Sequence, residues 1–584
     1  MFAKAEAAFG RGDYAAARTA ARAVLAAMPG VAAAAHLLAL CERRLGHDDA
    51  ALEAFAVAIK GDPGDPQIRN NFGNLLGDLG RSDEALVQYR AAVAAVPGFV
   101  DAWYNLGVTA SGCGRLHEAR TALEQAARLA PHRAATWQAL GLALRELGDS
   151  DAAVAALDRA VALQPQAPAI LHARARAEAE RGGDALPWFT RARSAAPADL
   201  PLVQGQAAAL RAADDDAAAA ALLRSALAQV PDWIAGHDAL ASLRWQAGDA
   251  QGFMADWDAA IAARPRDADL RLAQIRSMSR AGRWPDVARR IAAARRAIPD
   301  DGRVDVLAAV TADESGDTTT AATLFARIDS DDPSVGLVRV RHLLRTGATL
   351  PAAVLAEQLT AGPEAVTAWA YLALAWRLLG DARHDWLESD PRLVSTPALD
   401  LPDLAGLATS LRALHVSRAH PLDQSLRGGT QTDGPLFHRG DPHIVRLRRE
   451  VERAVADHVA RLPPPDPAHP TLGRARTRFR FSGSWSVRLT AAGFHVAHIH
   501  GDGWLSSACH IVLPALGDGA DGETAGWLAL GQAPPELGLD LPPLRLVKPE
   551  PGRLVLFPAT MWHATRPFPA GERLSIACDI VPSA

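Results

Sequence analysis

Prolines recur along the first two thirds of the chain at an interval of 34 residues. They stand at Pro29, Pro63, Pro97, Pro131, Pro165, Pro197, Pro231, Pro265, Pro299 and Pro333, and only the step from Pro165 to Pro197 is shorter. Glycines keep the same interval at Gly12, Gly46, Gly80, Gly114, Gly148, Gly182, Gly248, Gly282 and Gly316. A glycine permits a tight turn between two helices, and a proline ends the second helix. This period predicts stacked helix–turn–helix units.

The units also share a sequence pattern. Stretches such as 103-WYNLGVTA and 137-WQALGLAL, followed by RLHEARTALEQAARLAP and DSDAAVAALDRAVALQP, resemble the tetratricopeptide repeat. The resemblance implies about ten to eleven repeats over residues 1–380, forming a superhelix whose groove binds a protein or peptide. A purely architectural role, or self-association into a homo-oligomer, is the alternative. Asp214 takes one glycine position in an irregular unit, where we expect a kink or altered curvature.

The 34-residue rhythm stops near residue 380, which predicts a second domain at 381–584. Two helical stretches remain, 402-PDLAGLATSLRALH and 443-HIVRLRREVERAVADHVARL. After 463-PPPDPAHP, short β-like runs alternate with Gly, Pro and Asp, a pattern typical of a sandwich or jelly roll. The chain is therefore predicted to be an α+β multidomain protein, an all-α superhelix followed by a β domain with flanking helices.

The stretch 494-FHVAHIHGDGW-504 offers several metal ligands. Residues i and i+2 of a strand face the same side, so His498 and His500 should project together, with Asp502 continuing the series. His495 has the opposite parity and is expected to face the other layer. Further along, 551-PGRLVLFPATMWHATRPFPAGERLSIACDI places His563 at a strand end, with Arg573 and Ser575 on one face of the next strand.

These segments resemble the iron(II)/2-oxoglutarate-dependent oxygenases, in particular a family often found behind tetratricopeptide repeats in bacteria. The resemblance covers roughly residues 385–584 and rests on SGSWSVRLTAAGFHVAHIHGDGWLSSACHIVLP, on the distal WH, and on the Arg-x-Ser pair. It implies a double-stranded β-helix that uses iron(II), 2-oxoglutarate and O2. Arg573 and Ser575 would then hold the distal carboxylate of 2-oxoglutarate. His510 would either contact that cofactor or be a core histidine.

The ligand set departs from the common HxD pattern, and two registers are open. In the favoured one, His498, His500 and His563 hold the iron, with Asp502 as an additional or substituting ligand. In the other, His500 and Asp502 form the HxD pair and His563 is third. Candidate substrate contacts are Arg427 and Gln431 in the SLRGGTQT loop and Arg488, which alternatively forms an ion pair.

Composition excludes several other classes. A net charge of −5 indicates neither a nucleic-acid nor a membrane-surface protein, and no run of about 18 apolar residues occurs. The four cysteines lack CxxC spacing, as expected in a reducing compartment, and we expect a cytoplasmic protein. The glycine-rich loop lacks the GxxxxGK[ST] pattern, which argues against a P-loop enzyme.

The leading hypothesis is a dioxygenase that hydroxylates a side chain of a protein or peptide recruited by the repeats. The alternative is a non-enzymatic adaptor whose β domain has lost turnover. A cupin-type metal enzyme without 2-oxoglutarate would not need the Arg573–Ser575 pair. A small-molecule substrate, with the repeats serving assembly only, is also compatible with the sequence.

Overall fold

A computed structural model describes residues 1–422, 424–514 and 524–583, which divide into two compact units. The first unit, Met1–Arg181, is entirely helical. Its helices are α1 Phe2–Gly10, α2 Tyr14–Ala27, α3 Ala32–Arg44, α4 Asp48–Gly61, α5 Pro66–Asp78, α6 Ser82–Ala95, α7 Val100–Gly112, α8 Leu116–Leu129, α9 Ala134–Glu146, α10 Ser150–Leu163 and α11 Pro168–Arg181. The glycines of the 34-residue series adopt positive φ between the paired helices, for example Gly46 at 77° and Gly114 at 71°.

The second unit, Gly182–Ser583, continues the helical pairs before the β domain. Its repeat helices are α12 Leu186–Ala195, α13 Leu200–Ala212, α14 Asp216–Gln229, α15 Ile234–Gln246, α16 Ala255–Ala263, α17 Ala268–Arg280, α18 Trp284–Ala297, α19 Arg303–Glu314, α20 Thr318–Phe325, α21 Pro333–Arg345, α22 Thr349–Leu359 and α23 Ala365–Leu379. Asp214 adopts φ 61° in the turn where the series predicts glycine. The irregular repeat therefore keeps the left-handed turn, which aspartate tolerates better than most residues.

The rest of the second unit is a curled antiparallel sheet flanked by α24 Leu404–Ala413 and α25 Pro442–Arg461. The strands are β1 Leu426–Gln431, β2 Phe479–His498, β3 Leu505–Val512, β4 Leu528–Leu530, β5 Arg545–Val547, β6 Leu554–Pro558, β7 His563–Thr565 and β8 Arg573–Pro582. Their order is β5-β4-β7-β2-β8-β3-β6, and β1 also pairs with β2. The predicted fold class is confirmed: a helical repeat superhelix precedes an antiparallel β domain with flanking helices.

The residues of β8 alternate between the two faces of the sheet. On β8, Leu574, Ile576, Cys578 and Ile580 belong to the core that the sheet shares with α24 and α25. The alternate residues Arg573, Ser575, Ala577 and Asp579 must therefore face the opposite side, toward the interior of the curled sheet. The helices thus cover one face and leave the other to build a site.

Three repeat helices of the second unit share a core with the strands that carry the candidate ligands. Side chains of α21, α22 and α23 cluster with Ala497, Trp562 and Ala564. Trp562 packs against Tyr371, and its indole N–H donates to the carbonyl of Ala370 at 2.9 Å. Residue 380 directly follows α23, and this helix contributes to the core that contains the strands with the candidate ligands. The division of the chain into domains at residue 380 stays a prediction.

Candidate metal and carboxylate site

Three histidine side chains converge where the end of β2 meets β7. His498 pairs directly with His563 across the two strands, and His500 follows just beyond β2. One ring nitrogen from each lies within 4.8 Å of the others, the only such His, Cys, Asp or Glu group in the described ranges. The Nε2 atoms of His500 and His563 are 3.2 Å apart, and their rings stack at an interplanar angle of 10°.

The other nitrogen of each ring is engaged by an acceptor. Nδ1 of His498 lies 2.8 Å from the carbonyl of Val496, and Nδ1 of His563 lies 3.2 Å from that of Met561. Nδ1 of His500 lies 2.8 Å from the carboxylate of Asp579. Because these oxygens only accept, each Nδ1 must donate a proton, and a neutral ring then carries a bare lone pair on Nε2. Three convergent lone pairs suit a divalent cation, which relieves their mutual repulsion.

Burial keeps the rings of His498 and His563 neutral. It lowers the pKa of His498 to about 3, with a further contribution from the neighbouring His500. Burial also lowers the pKa of His563 well below its ordinary value, again with help from the adjacent imidazoles. Neutral imidazole is the form that binds a metal ion.

The parity prediction for His495 is wrong. Across β2 and β7, the offset from His495 to His498 is three residues on one strand and only two on the other, from Thr565 to His563. This bulge inserts an extra residue and cancels the change of face. The His495 ring stacks on His498 with centroids 5.7 Å apart, and its Nδ1 lies 3.0 Å from the Ser425 hydroxyl. A fourth histidine therefore borders the site.

Asp502 lies in an exposed turn after the strand, outside the three-histidine group. The side chains as arranged match the register His498, His500 and His563. Participation of Asp502 in metal binding stays a prediction that requires the turn to move.

Arg573 and Ser575 lie on the interior face, as predicted from their spacing. Arg573 is 2% exposed and donates hydrogen bonds to the carbonyl of Gly526 and, at 3.2 Å, to Nδ1 of His510. It forms no ion pair with a carboxylate in the part of the chain that the structure describes. Burial lowers the pKa of Arg573 to about 10. A charged guanidinium held in this way favours an anionic ligand.

His510 adds an unsatisfied donor beside Arg573. It lies opposite Ser575 across β3 and β8, and it is 1% exposed. Its Nδ1 accepts from Arg573, so a neutral ring carries its proton on Nε2, which has no hydrogen-bond partner among the described residues. A buried guanidinium beside a buried N–H without an acceptor suits a carboxylate, which accepts from several directions.

The three predicted substrate contacts lie in or beside β1. Arg427 is exposed, and its guanidinium donates at 2.8 Å to the carbonyls of Gln424 and Leu426. Gln431 lies opposite Val487 on β2. Arg488 faces away from the interior and forms an ion pair with Glu572 at 2.6 Å. Among the described contacts none joins these three side chains to the histidines, so their substrate role stays a prediction.

Residues that sequence reasoning missed complete the site. Asp579 accepts from His500, and the Ser506 hydroxyl lies 3.0 Å from its other oxygen. Trp485 stacks on the His500 ring with centroids 5.6 Å apart. The signal for Asp579 was present, since it shares the parity of Arg573 and Ser575 on β8.

Two kinds of protein family match the chain, one over the helical repeats and one over the β domain. Residues 483–579 match the family described as "Putative 2OG-Fe(II) oxygenase". Residues 2–66, 70–112 and 99–166 match tetratricopeptide repeat families. The chain therefore carries tetratricopeptide repeats at its N-terminus and an oxygenase-family domain at its C-terminus. No curated protein matches the sequence.

Solved structures match the helical repeats. The MamA protein is 21% identical, with 30% of this chain and 96% of that chain covered and a TM-score of 0.28. The C-terminal part of a repeat protein from Cytophaga hutchinsonii is 20% identical, with 41% and 99% covered and a TM-score of 0.37. YrrB, described as a repeat protein with an unusual peptide-binding site, is 24% identical, with 32% and 96% covered and a TM-score of 0.29.

Proposed function

We propose that the chain is an iron(II)- and 2-oxoglutarate-dependent dioxygenase that hydroxylates a side chain of a protein or peptide recruited by its repeats. One observation carries the proposal: three imidazoles with bare Nε2 atoms share an interior with a buried arginine that has no carboxylate partner among the described residues. The oxygenase-family match over residues 483–579 supports it. Other metal-binding β domains do not need a buried cation on the strand beside the ligands.

His498, His500 and His563 would hold the iron, and Arg573, Ser575 and His510 would hold the distal carboxylate of 2-oxoglutarate. When bound, the iron and 2-oxoglutarate would supply the oxidising chemistry: O2 and 2-oxoglutarate yield succinate and CO2 while a C–H bond becomes C–OH. Three protein ligands leave positions free for a bidentate cofactor and for O2.

The protein's own residues contribute binding and orientation. The Arg573 guanidinium presents two donors in a fixed plane, which defines the direction in which a carboxylate can lie. Val487 and Ala508, on the same interior face of β2 and β3, are apolar and border this position. Phe557 packs against the His563 ring with centroids 4.7 Å apart. These side chains restrict water around the bound cofactor, which strengthens every polar contact made there.

Tetratricopeptide repeats generally bind proteins or peptides, which supports a macromolecular substrate. The second unit also contains a cavity of about 660 Å³ between α13–α15 and the segments around residues 413–416 and 433–439. Its wall is largely alanine and leucine, with the Arg211–Asp433 ion pair at 3.4 Å. Binding energy from such a remote surface can position one substrate residue at the metal.

Location and assembly are part of the same proposal. All four cysteines are free, in keeping with a cytoplasmic protein. None of the described helices combines the length and the apolar character needed to cross a bilayer. Self-association through the repeats into a homo-oligomer remains a further prediction.

The test is an anaerobic titration of the purified chain with iron(II) and then with 2-oxoglutarate, followed by admission of O2. We expect a charge-transfer absorption band that needs both additions, and succinate formation after O2. His563→Gln serves as the control that loses the band. A folded protein that shows neither the band nor succinate would refute the proposal and favour the non-enzymatic adaptor.

A further inference from the structure

Only one of the three imidazoles donates its Nδ1 proton to a charged acceptor. His498 and His563 each donate to a backbone carbonyl two residues earlier, Val496 and Met561 respectively. His500 donates instead to Asp579, with 2.8 Å between Nδ1 and Oδ2. A carboxylate accepts more strongly than a carbonyl and makes the opposite nitrogen of the ring a better electron donor. The three candidate ligands are therefore unequal.

The Asp579 carboxylate is held firmly in place. It stands on β8, opposite Gly483 of β2 and Ser506 of β3, so strands pair on both sides of it. The buried Ser506 hydroxyl lies 3.0 Å from Oδ1 and leaves Oδ2 for His500. Its contacts in the described structure thus include no basic residue besides this histidine. An ordinary structural ion pair on a sheet would involve arginine or lysine.

The His500 ring is also fixed on its faces. Trp485 lies nearly parallel to it at 20°, and the ring of His563 lies nearly parallel to it at 10°. Rotation about the ring's χ2 would break the Asp579 hydrogen bond and both stacking contacts. Nε2 therefore stays directed toward the other two imidazoles.

We propose that Asp579 is a positioning residue that fixes His500 and supplies, through its ring, the negative charge that a three-histidine site lacks. The inference rests on the proposed metal site. A common two-histidine-one-carboxylate set neutralises one charge of the metal directly. Here the carboxylate stands one imidazole away, where its hydrogen bond to Nδ1 orients the His500 ring and makes Nε2 a stronger electron donor to a metal ion. Loss of such a partner typically weakens metal binding by about 10- to 100-fold.

The experiment measures metal affinity in the full chain without 2-oxoglutarate or turnover. Cobalt(II) is titrated against a competing chelator, and its visible spectrum reports the ligand field. Asp579→Asn keeps the size and an acceptor oxygen but removes the charge. We expect it to weaken cobalt binding about 10- to 100-fold and to change the spectrum, with the melting temperature of the metal-free protein close to wild type. Asp579→Ala should weaken binding at least as much.

Glu550→Gln is the matched control. It makes the same carboxylate-to-amide change on an exposed side chain that pairs only with Arg553 in the described structure. Its cobalt affinity and spectrum should equal those of the wild type. If folded Asp579→Asn also binds cobalt like the wild type, the inference is overturned. If the wild type binds no cobalt, both the inference and the proposed metal site fail. If it binds cobalt but produces no succinate with iron, only the oxygenase proposal fails.

Discussion

Replacing Arg573 by methionine should weaken the proposed 2-oxoglutarate binding without destabilising the fold, because the buried guanidinium has no carboxylate partner among the described residues. Removing one partner of a buried charged pair costs about 2–5 kcal/mol of binding free energy. At about 1.4 kcal/mol for each tenfold change, this corresponds to a 2-oxoglutarate dissociation constant roughly 30- to 4000-fold higher.

The stability of the metal-free protein should change little. Burial lowers the pKa of Arg573 to about 10, so holding the charged form in the fold costs roughly 3 kcal/mol. The methionine variant escapes this cost but loses the hydrogen bonds of the charged guanidinium to Gly526 and His510, worth about 1.5 kcal/mol each. The two contributions offset each other, so the melting temperature should stay close to that of the wild type.

Calorimetric titration of the zinc-loaded protein with 2-oxoglutarate measures the affinity without turnover, and a thermal melt of the metal-free protein measures the stability. Arg553→Met is the control, since Arg553 is partly exposed and paired with Glu550. It should leave the affinity unchanged. Unaltered 2-oxoglutarate binding in Arg573→Met would refute the reasoning, and a large drop in melting temperature would assign Arg573 a structural role instead.

Three further predictions concern the ligand register, the unit boundary and the pH response. His500→Ala should abolish iron retention while Asp502→Ala should leave it within about threefold, because Asp502 lies outside the three-histidine group; the opposite order in a chelator competition would establish the HxD register. Residues 182–584 expressed alone should retain cobalt binding, whereas residues 381–584 should be unstable because α21–α23 share their core with the ligand strands; a stable, metal-binding 381–584 chain would contradict this packing. Burial lowers the pKa of His458 to about 4. Below pH 6.5 the unfolded chain therefore binds a proton at this histidine that the folded chain does not bind. The free energy of unfolding then falls as the pH falls. His458→Gln should remove about 2 kcal/mol of the stability loss between pH 7 and pH 5. The melting temperature of this variant should therefore depend less on pH than that of the wild type. An unchanged pH dependence of the melting temperature would contradict the role of His458.

Long-range periodicity made the helical part predictable. A 34-residue interval repeated over most of 380 residues specifies helix pairs without knowledge of any contact, and even Asp214 keeps the turn of the glycines it replaces. The domain division at residue 380 stays a prediction. The end of a repeat does not by itself define where a core ends, since the Trp562 indole donates to the carbonyl of Ala370 in α23, 192 residues away.

The alternation of side chains along a strand predicted their faces correctly where the hydrogen-bond ladder is regular. It predicted the wrong face where a bulge interrupts the ladder. It placed Arg573 and Ser575 on one face, and the structure adds Asp579 to the same row. It failed for His495 because the bulge between β2 and β7 has no sequence signature in this stretch. The charged partner of His500 lies 79 residues away, so only the strand register reveals it.

The most direct test of the central claim is oxygen incorporation. The full chain, loaded with iron(II) and 2-oxoglutarate, is exposed to ¹⁸O2, and the succinate is examined by mass spectrometry. We predict that the succinate carries one ¹⁸O atom and that His563→Gln and Arg573→Met form little succinate. Succinate without the label, or equal amounts from wild type and both variants, would contradict it.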